Sequence, residues 1–180
     1  KGTMTLIDDA QAEWLYSEMN AGMETSGGSA ANTLAGIASL GGRGAYIGKV
    51  RDDQLGDVFS HDIKAVGVDY PMRPAAEGPP TARCLIFVTP DADRTMQTYL
   101  GVSVMLGPED IDPETVGGAQ ITYLEGYLFD RDEAKGAFVK AAELAHAAGR
   151  RVALTLSDPF CVDRHRASFQ HLVEGHVDIV

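Results

Sequence analysis

Apolar residues recur along this chain with two periods, and the change from one to the other marks its elements. "DDAQAEWLYSEM" (Asp8 to Met19) reads as a short helix with Trp14 and Leu15 on one face behind an acidic first turn. "METS" (Met23 to Ser26) reads as a short strand before Gly27 and Gly28, and the next helix runs from about Ser29 to Leu40, ended by Gly41 and Gly42. "GAYIGKV" (Gly44 to Val50) is strand-like. "DQLGDVFSHDIKAVG" then places Leu55, Val58, Phe59, Ile63 and Val66 at helical spacing, with Gly67 as a stop. The Pro-rich loop "YPMRPAAEGPP" excludes regular structure. "ARCLIFVTP" and "RTMQTYLG" flank the polar turn "DADR", which predicts a hairpin.

After the hairpin the texture changes. "QITYLEGYLF", "RVALTLSD" and "HVDIV" read as strands, separated by the helices "RDEAKGAFVKAAELAHAAG" and "VDRHRASFQHLVEG". Strands spaced by helices of this length imply right-handed crossovers and a parallel sheet covered on both faces. The expected fold class is therefore α/β, a layered core with a small strand-rich flap or lid. That lid is built from the "METS" segment and the hairpin, about residues 21–28 and 81–101, with the core formed by the rest of 1–180. The chain begins at Lys1 and stops at Val180, the last residue of a predicted strand, so it reads as a piece of a longer protein.

Composition narrows the chemistry. A net charge of -11 argues against a nucleic-acid binder, because no basic stripe is available to release counterions from phosphates. An acidic surface still admits anionic small molecules into a local positive pocket. No apolar run approaches the roughly 20 residues of a membrane helix, and no basic-then-apolar leader is present. Cys84 and Cys161 each sit in an apolar stretch, which predicts two reduced, packed thiols and a cytoplasmic location. Asp158, Asp163, His165, His171 and His176 lack metal-ligand spacing, His165 and His171 falling on different helical faces, so no metal site is assigned. Ser157 follows a strand without a nucleophile elbow around it and reads as a loop or cap residue.

The stretch with the most chemical content is "SGGSAANTLAGIASLGG", Ser26 to Gly42. Gly27 and Gly28 allow positive φ and close approach of a ligand to the backbone. The helix behind them presents unpaired N–H groups, and Asn32 adds one acceptor and two donors suited to a diol. A tight turn leading into an Ala-rich helix packed on a sheet fits the same spacing. The stretch is neither a Gly-x-Gly-x-x-Gly fingerprint nor a Walker A loop.

The whole chain resembles the ribokinase-like, or phosphofructokinase B, family of carbohydrate and nucleoside kinases. The resemblance rests on Gly27, Gly28, Asn32 and Gly41, followed by "YIGKVRDDQLGD" with Gly48, Asp53 and Gly56. "PPTARCLIFVTPDADRTMQTYLG", "LEGYLF" and "LTLSDPF" look like segments of the adenosine kinases within it. The resemblance implies a ribokinase-like three-layer αβα core with a parallel sheet and a β lid. It implies an ATP-dependent kinase using Mg²⁺ and phosphorylating the 5′-OH of adenosine or a related nucleoside, as a monomer or a homodimer through the lid. A ribokinase- or fructokinase-type sugar kinase and a non-catalytic sugar- or nucleoside-binding module stand as alternatives. Gly27, Gly28 and Asn32 would hold the sugar hydroxyls. Phe87, Tyr127, Leu128 and Phe129 would pack against a base, although such large residues on a strand also suit a core. Arg94 matches a lid arginine that reaches the transferring phosphate. By the same resemblance the first strand with its sugar-binding Asp, the Asn-x-x-Glu motif, the anion hole and the catalytic base lie outside these residues. No catalytic residue is assigned.

Overall fold

The computed structural model describes residues 1–180, save the side chain of Asp130. Along the chain run β1 (Met4–Leu6), α1 (Asp9–Glu18), α2 (Ser29–Ser39), α3 (Gln54–Ala65), β2 (Arg83–Val88) and β3 (Arg94–Tyr99). Two 3₁₀ turns follow at Gly101–Met105 and Pro108–Asp110, then α4 (Pro113–Gly118) and β4 (Ile121–Glu125). A third 3₁₀ turn at Gly126–Asp130 leads to α5 (Asp132–Ala147), β5 (Arg151–Thr155) and α6 (Pro159–Gly175).

Strands β4 and β5 pair in parallel, Leu124 opposite Leu154, and α5 is the crossover between them. Ile179 bridges Ala153 on the far side of β5, the position expected for the "HVDIV" strand. The main core joins this sheet to α5 and α6. Ala137, Ala141, Ala142 and Ala145 form a small-residue stripe that brings α5 close to Val152 and Leu154. Phe129, Phe138 and Phe169 fill the space beside them, with Phe129 centred 5.1 Å from Phe138 and 4.5 Å from Phe169. Close packing of this kind leaves little room for volume change. A second, smaller core joins α2 to α3 around Ala31, Val50, Ile63, Val68 and Tyr70. The "GAYIGKV" segment runs through it, but it and the following Arg51 form isolated parallel bridges, Ala45 to Asp69 and Arg51 to Ala75, instead of a continuous strand.

The hairpin is present, with Arg83 opposite Tyr99 and Val88 opposite Arg94. Its third strand differs from expectation. β1 pairs in parallel with β3, Met4 opposite Met96, whereas residues 20–28 contain no regular secondary structure. A strand needs a backbone partner, and the Met23–Ser26 stretch has none among the described residues. Helix α1 packs on β2 and β3 and therefore belongs with the lid. It starts with a capping box between Asp8 and Gln11 and is tied to the sheet by Arg83, which pairs with Glu13 and lies 3.7 Å from Asp9. Trp14, read on one face with Leu15, is 62% exposed, and the buried position of α1 is Ala12. The thiols also differ: neither forms a disulfide, but Cys161 is buried and Cys84 is exposed.

Candidate substrate site

Helix α2 begins without a side-chain cap. Gly28 occupies the cap position at φ 104°, ψ 137°, a conformation that disfavours any L side chain. Gly27 and Gly28 are exposed, and a Cβ built on either would meet nothing within 4 Å. Open space therefore lies over this backbone. The first N–H groups of α2 have no partner inside the helix. Asn32 is the first residue whose N–H is satisfied within the helix, donating to Gly28 O at 2.8 Å, and its side chain is exposed one turn along. Backbone donors and an Asn amide together suit a ligand rich in hydroxyl oxygens.

The lid sheet has two unlike faces, and strand alternation sorts its residues between them. Arg83, Leu85 and Phe87 share the face covered by α1, where Phe87 lines a hollow with Ile7, Gln11, Trp14, Leu15 and Gln97. Phe87 is thus turned toward α1, which corrects its expected role against a base. Cys84, Ile86, Val88, Arg94, Met96 and Thr98 share the opposite face, continued by Met4 and Leu6 on β1. Among the described residues no helix covers this side, and Met4, Leu6, Ile86 and Val88 are each 40% exposed or more. Arg94 stands exposed at its far end and forms no ion pair among the described residues.

The predicted strand through "GYLF" ends early. β4 stops at Glu125, and Tyr127, Leu128 and Phe129 lie in the 3₁₀ turn. Three residues per turn point consecutive side chains about 120° apart, so the three cannot share a face. Tyr127 is exposed, Leu128 is half-buried against the core, and Phe129 is 0% exposed inside it. Phe129 is a core residue and not a base platform. Burial, then the neighbouring Asp158 and Glu125 carboxylates, raise the pKa of the Tyr127 phenol.

Residues read from the sequence only as a loop or cap position, or weighed only as metal ligands, gather beside Tyr127. Ser157 follows β5 at φ 69°, unusual for a residue with a side chain, and its hydroxyl donates to Glu125 Oε1 at 3.3 Å. The other oxygen of Glu125 is buried without a partner. Asp158 caps α6 by accepting from Cys161 N–H at 2.7 Å, and Phe160 in the first turn is 77% exposed. This is the carboxyl edge of the parallel strands, where open α/β sheets bind ligands. The legible signal was "SDPF" directly after a strand. Among the described residues no three His, Cys, Asp or Glu side chains converge on a metal position, so the magnesium implied by the resemblance has no ligand set here and no step is derived through it. No helix among the described residues is long and apolar enough to cross a membrane.

Comparison with known proteins agrees with this layout. The pfkB family carbohydrate kinase profile matches residues 6–180. The structure of adenosine kinase from Sinorhizobium meliloti superposes with a TM-score of 0.92 at 56% identity, covering 99% of this chain and 55% of that one. A probable sugar kinase from Rhizobium etli superposes with a TM-score of 0.93 at 54% identity, covering 99% of this chain and 54% of that one. Probable fructokinase-3 of Arabidopsis thaliana is 29% identical over 139 residues, which is 76% of this chain and 39% of that protein. The chain thus spans about half the length of these solved structures and less of the curated relative. The chain belongs to the pfkB family of carbohydrate kinases.

Proposed function

We propose that these residues form the substrate-binding part of an ATP-dependent nucleoside kinase that phosphorylates the 5′-OH of adenosine or a related nucleoside. The observation that carries the sugar-binding role is Gly28: a left-handed backbone with open space above it, at a helix start whose donors are unspent. Choice of adenosine rests on the likeness to the Sinorhizobium meliloti adenosine kinase at 56% identity.

In this reading Gly27, Gly28 and Asn32 hold the ribose hydroxyls and so orient the 5′-OH. The open face of the lid, with Ile86 and Met96, closes over the nucleoside and excludes water that would compete as acceptor. Arg94 meets the transferring γ-phosphoryl group of ATP, where positive charge stabilises the charge spread over its oxygens. Tyr127 and Leu128 contribute to the base side, joined by Phe160. The catalytic base is assigned to no residue of this chain. A sugar kinase is the second reading, favoured by the fructokinase relative and the probable sugar kinase structure.

The test is ADP release by the full-length protein with adenosine, inosine, guanosine, ribose and fructose compared side by side. Turnover of adenosine with ribose inert is expected. Preference for ribose or fructose would replace the nucleoside reading while keeping the role of Gly28 and Asn32. Saturable nucleoside binding without turnover of any of the five would favour a non-catalytic binding module. In the active protein Asn32→Ala is expected to raise KM for the acceptor by about tenfold or more, the order of one lost hydrogen bond or two.

A further inference from the structure

Residues 20–28 approach the glycine turn without support from their own backbone: none of their N–H groups is hydrogen-bonded to another element among the described residues. Beyond the bond that Gly28 O accepts from Asn32 N–H, their polar tie to the rest of the molecule among the described residues is a side-chain bond. Ser26 Oγ donates to Asp62 Oδ2 at 2.6 Å, in a half-buried contact. Asp62 lies on α3, and its second oxygen faces His61 Nδ1 at 3.1 Å. Only Gly27 separates Ser26 from the cap position of α2.

The opposite end of α3 holds the lid. Asp53 is the N-cap, and its Oδ1 accepts from the Gly56 N–H at 2.8 Å and the Thr81 hydroxyl at 2.6 Å. Its Oδ2 accepts from the Thr81 N–H at 2.9 Å. Thr81 Oγ1 in turn accepts from the Arg51 N–H at 2.9 Å. Thr81 is 5% exposed, and among the described residues it is the sole buried polar side chain. It stands just before β2. The chain returns from β3 through Gly101, at φ 50°, where a Cβ would collide with Pro80 O, and Val102 N–H donates to that same oxygen at 3.0 Å. Both roots of the lid therefore meet at Pro80 and Thr81, and Asp53 grips that point.

We propose that α3 is a strut that positions both parts of the substrate site, Asp62 fixing the Gly27–Gly28 turn through Ser26 and Asp53 fixing the root of the lid through Thr81. The two carboxylates are nine residues apart, about 14 Å along a helix. Bonds to an ionised acceptor are roughly twice as strong as neutral ones, so a few suffice where apolar packing is thin. Phe59 and Ile63 seat α3 in the second core, which keeps the two ends in fixed relation. Asp53 and Asp62 are positioning residues, since each reaches the site through another side chain. What they position is the acceptor site of the kinase reading above; the tethers themselves do not depend on that reading.

The experiment is ¹⁵N relaxation and amide exchange on the full-length protein, combined with acceptor kinetics. Ser26→Ala breaks one tether on an exposed segment and leaves α3 untouched. It is expected to drop the order parameters of Gly27 and Gly28 from about 0.85 to below about 0.6. KM for the acceptor rises about tenfold, while kcat stays within about twofold. Asp62→Asn reproduces both effects. Thr81→Val is expected to speed exchange of the Thr81 and Val102 amides about tenfold, and Thr81→Ser to restore it. Unchanged order at Gly27 and Gly28 in both Ser26→Ala and Asp62→Asn would overturn the strut, even in an enzyme that turns over its substrates. Loosened glycines in a protein that neither binds nor phosphorylates any of the five acceptors would uphold the strut and remove the kinase reading.

Discussion

The two ends of this molecule are held together by different physics. Around α5, β5 and α6 the chain is fixed by burial: Phe129, Ala137, Ala142, Ala145 and Val152 are all 0% exposed. In the lid sheet Leu85 is the one buried residue of β1, β2 and β3, and one whole face carries no cover. What fixes the lid is a small set of oriented polar contacts, Arg83 with Glu13 and Asp53 with Thr81. Burial scales with area and holds a region as a block, whereas a few polar contacts define a position and can be released one at a time. If the lid closes over an acceptor as proposed above, the second arrangement suits it better.

Substitutions should separate the two regions by magnitude. Phe129→Ala removes a ring packed on Phe138 and Phe169 and is expected to cost about 3–5 kcal/mol in denaturant unfolding. Gly101→Ala forces a side chain toward the Pro80 carbonyl at positive φ. It is expected to cost about 1–3 kcal/mol, with the loss appearing as faster proteolysis of the hairpin. Arg83→Ala leaves the partly exposed pair with Glu13 broken and should cost under about 1 kcal/mol, read as a small change in denaturation midpoint. Ile86→Ala on the open face should lie within about 0.5 kcal/mol of the parent, and a loss as large as that at Phe129 would mean this face is packed after all.

Acid should act on the polar side of the comparison. Burial alone would raise the pKa of Asp53, but the hydrogen bonds from Thr81 and Gly56 and the charge of Arg51 hold it below 3.8. Asp62 is lowered by the Ser26 hydroxyl and by His61. A carboxylate depressed in the folded state stabilises it above the ordinary value, and that contribution is lost as pH falls through the lowered one. The lid root and the glycine turn are therefore expected to loosen below pH 3.8, seen as amide exchange in 79–83 rising before that in α5.

Most of the buried region was legible in the sequence, because α5, β5 and α6 declare themselves by period, caps and length. Alternation also revealed the β2–β3 hairpin. It did not show which face of the hairpin α1 would cover, since that choice depends on a contact with a distant helix. β1 escaped notice for a similar reason: three residues of alternation, Met4 to Leu6, acquire meaning only beside Met96 and Thr98. At "GYLF" the large residues were read as a strand, whereas a 3₁₀ turn separates exposed Tyr127 from buried Phe129. The positive φ of Gly28 was readable, because unusual backbone favours glycine. Ser26, Asp62 and Thr81 were not, since hydroxyls and carboxylates are common and only their pairing in space gives them a role.

The unequal exposure of the two thiols supplies an internal clock for the lid. Cys84 lies on the uncovered face, accepting a weak bond from the Thr98 hydroxyl at 3.2 Å, while Cys161 is 1% exposed and donates to Gly126 O at 3.0 Å. An alkylating probe would therefore modify one position and leave the other silent. On the proposed reading of the lid, its rate measures how much of the time that face is open, and a bound acceptor is expected to slow it, without an engineered label.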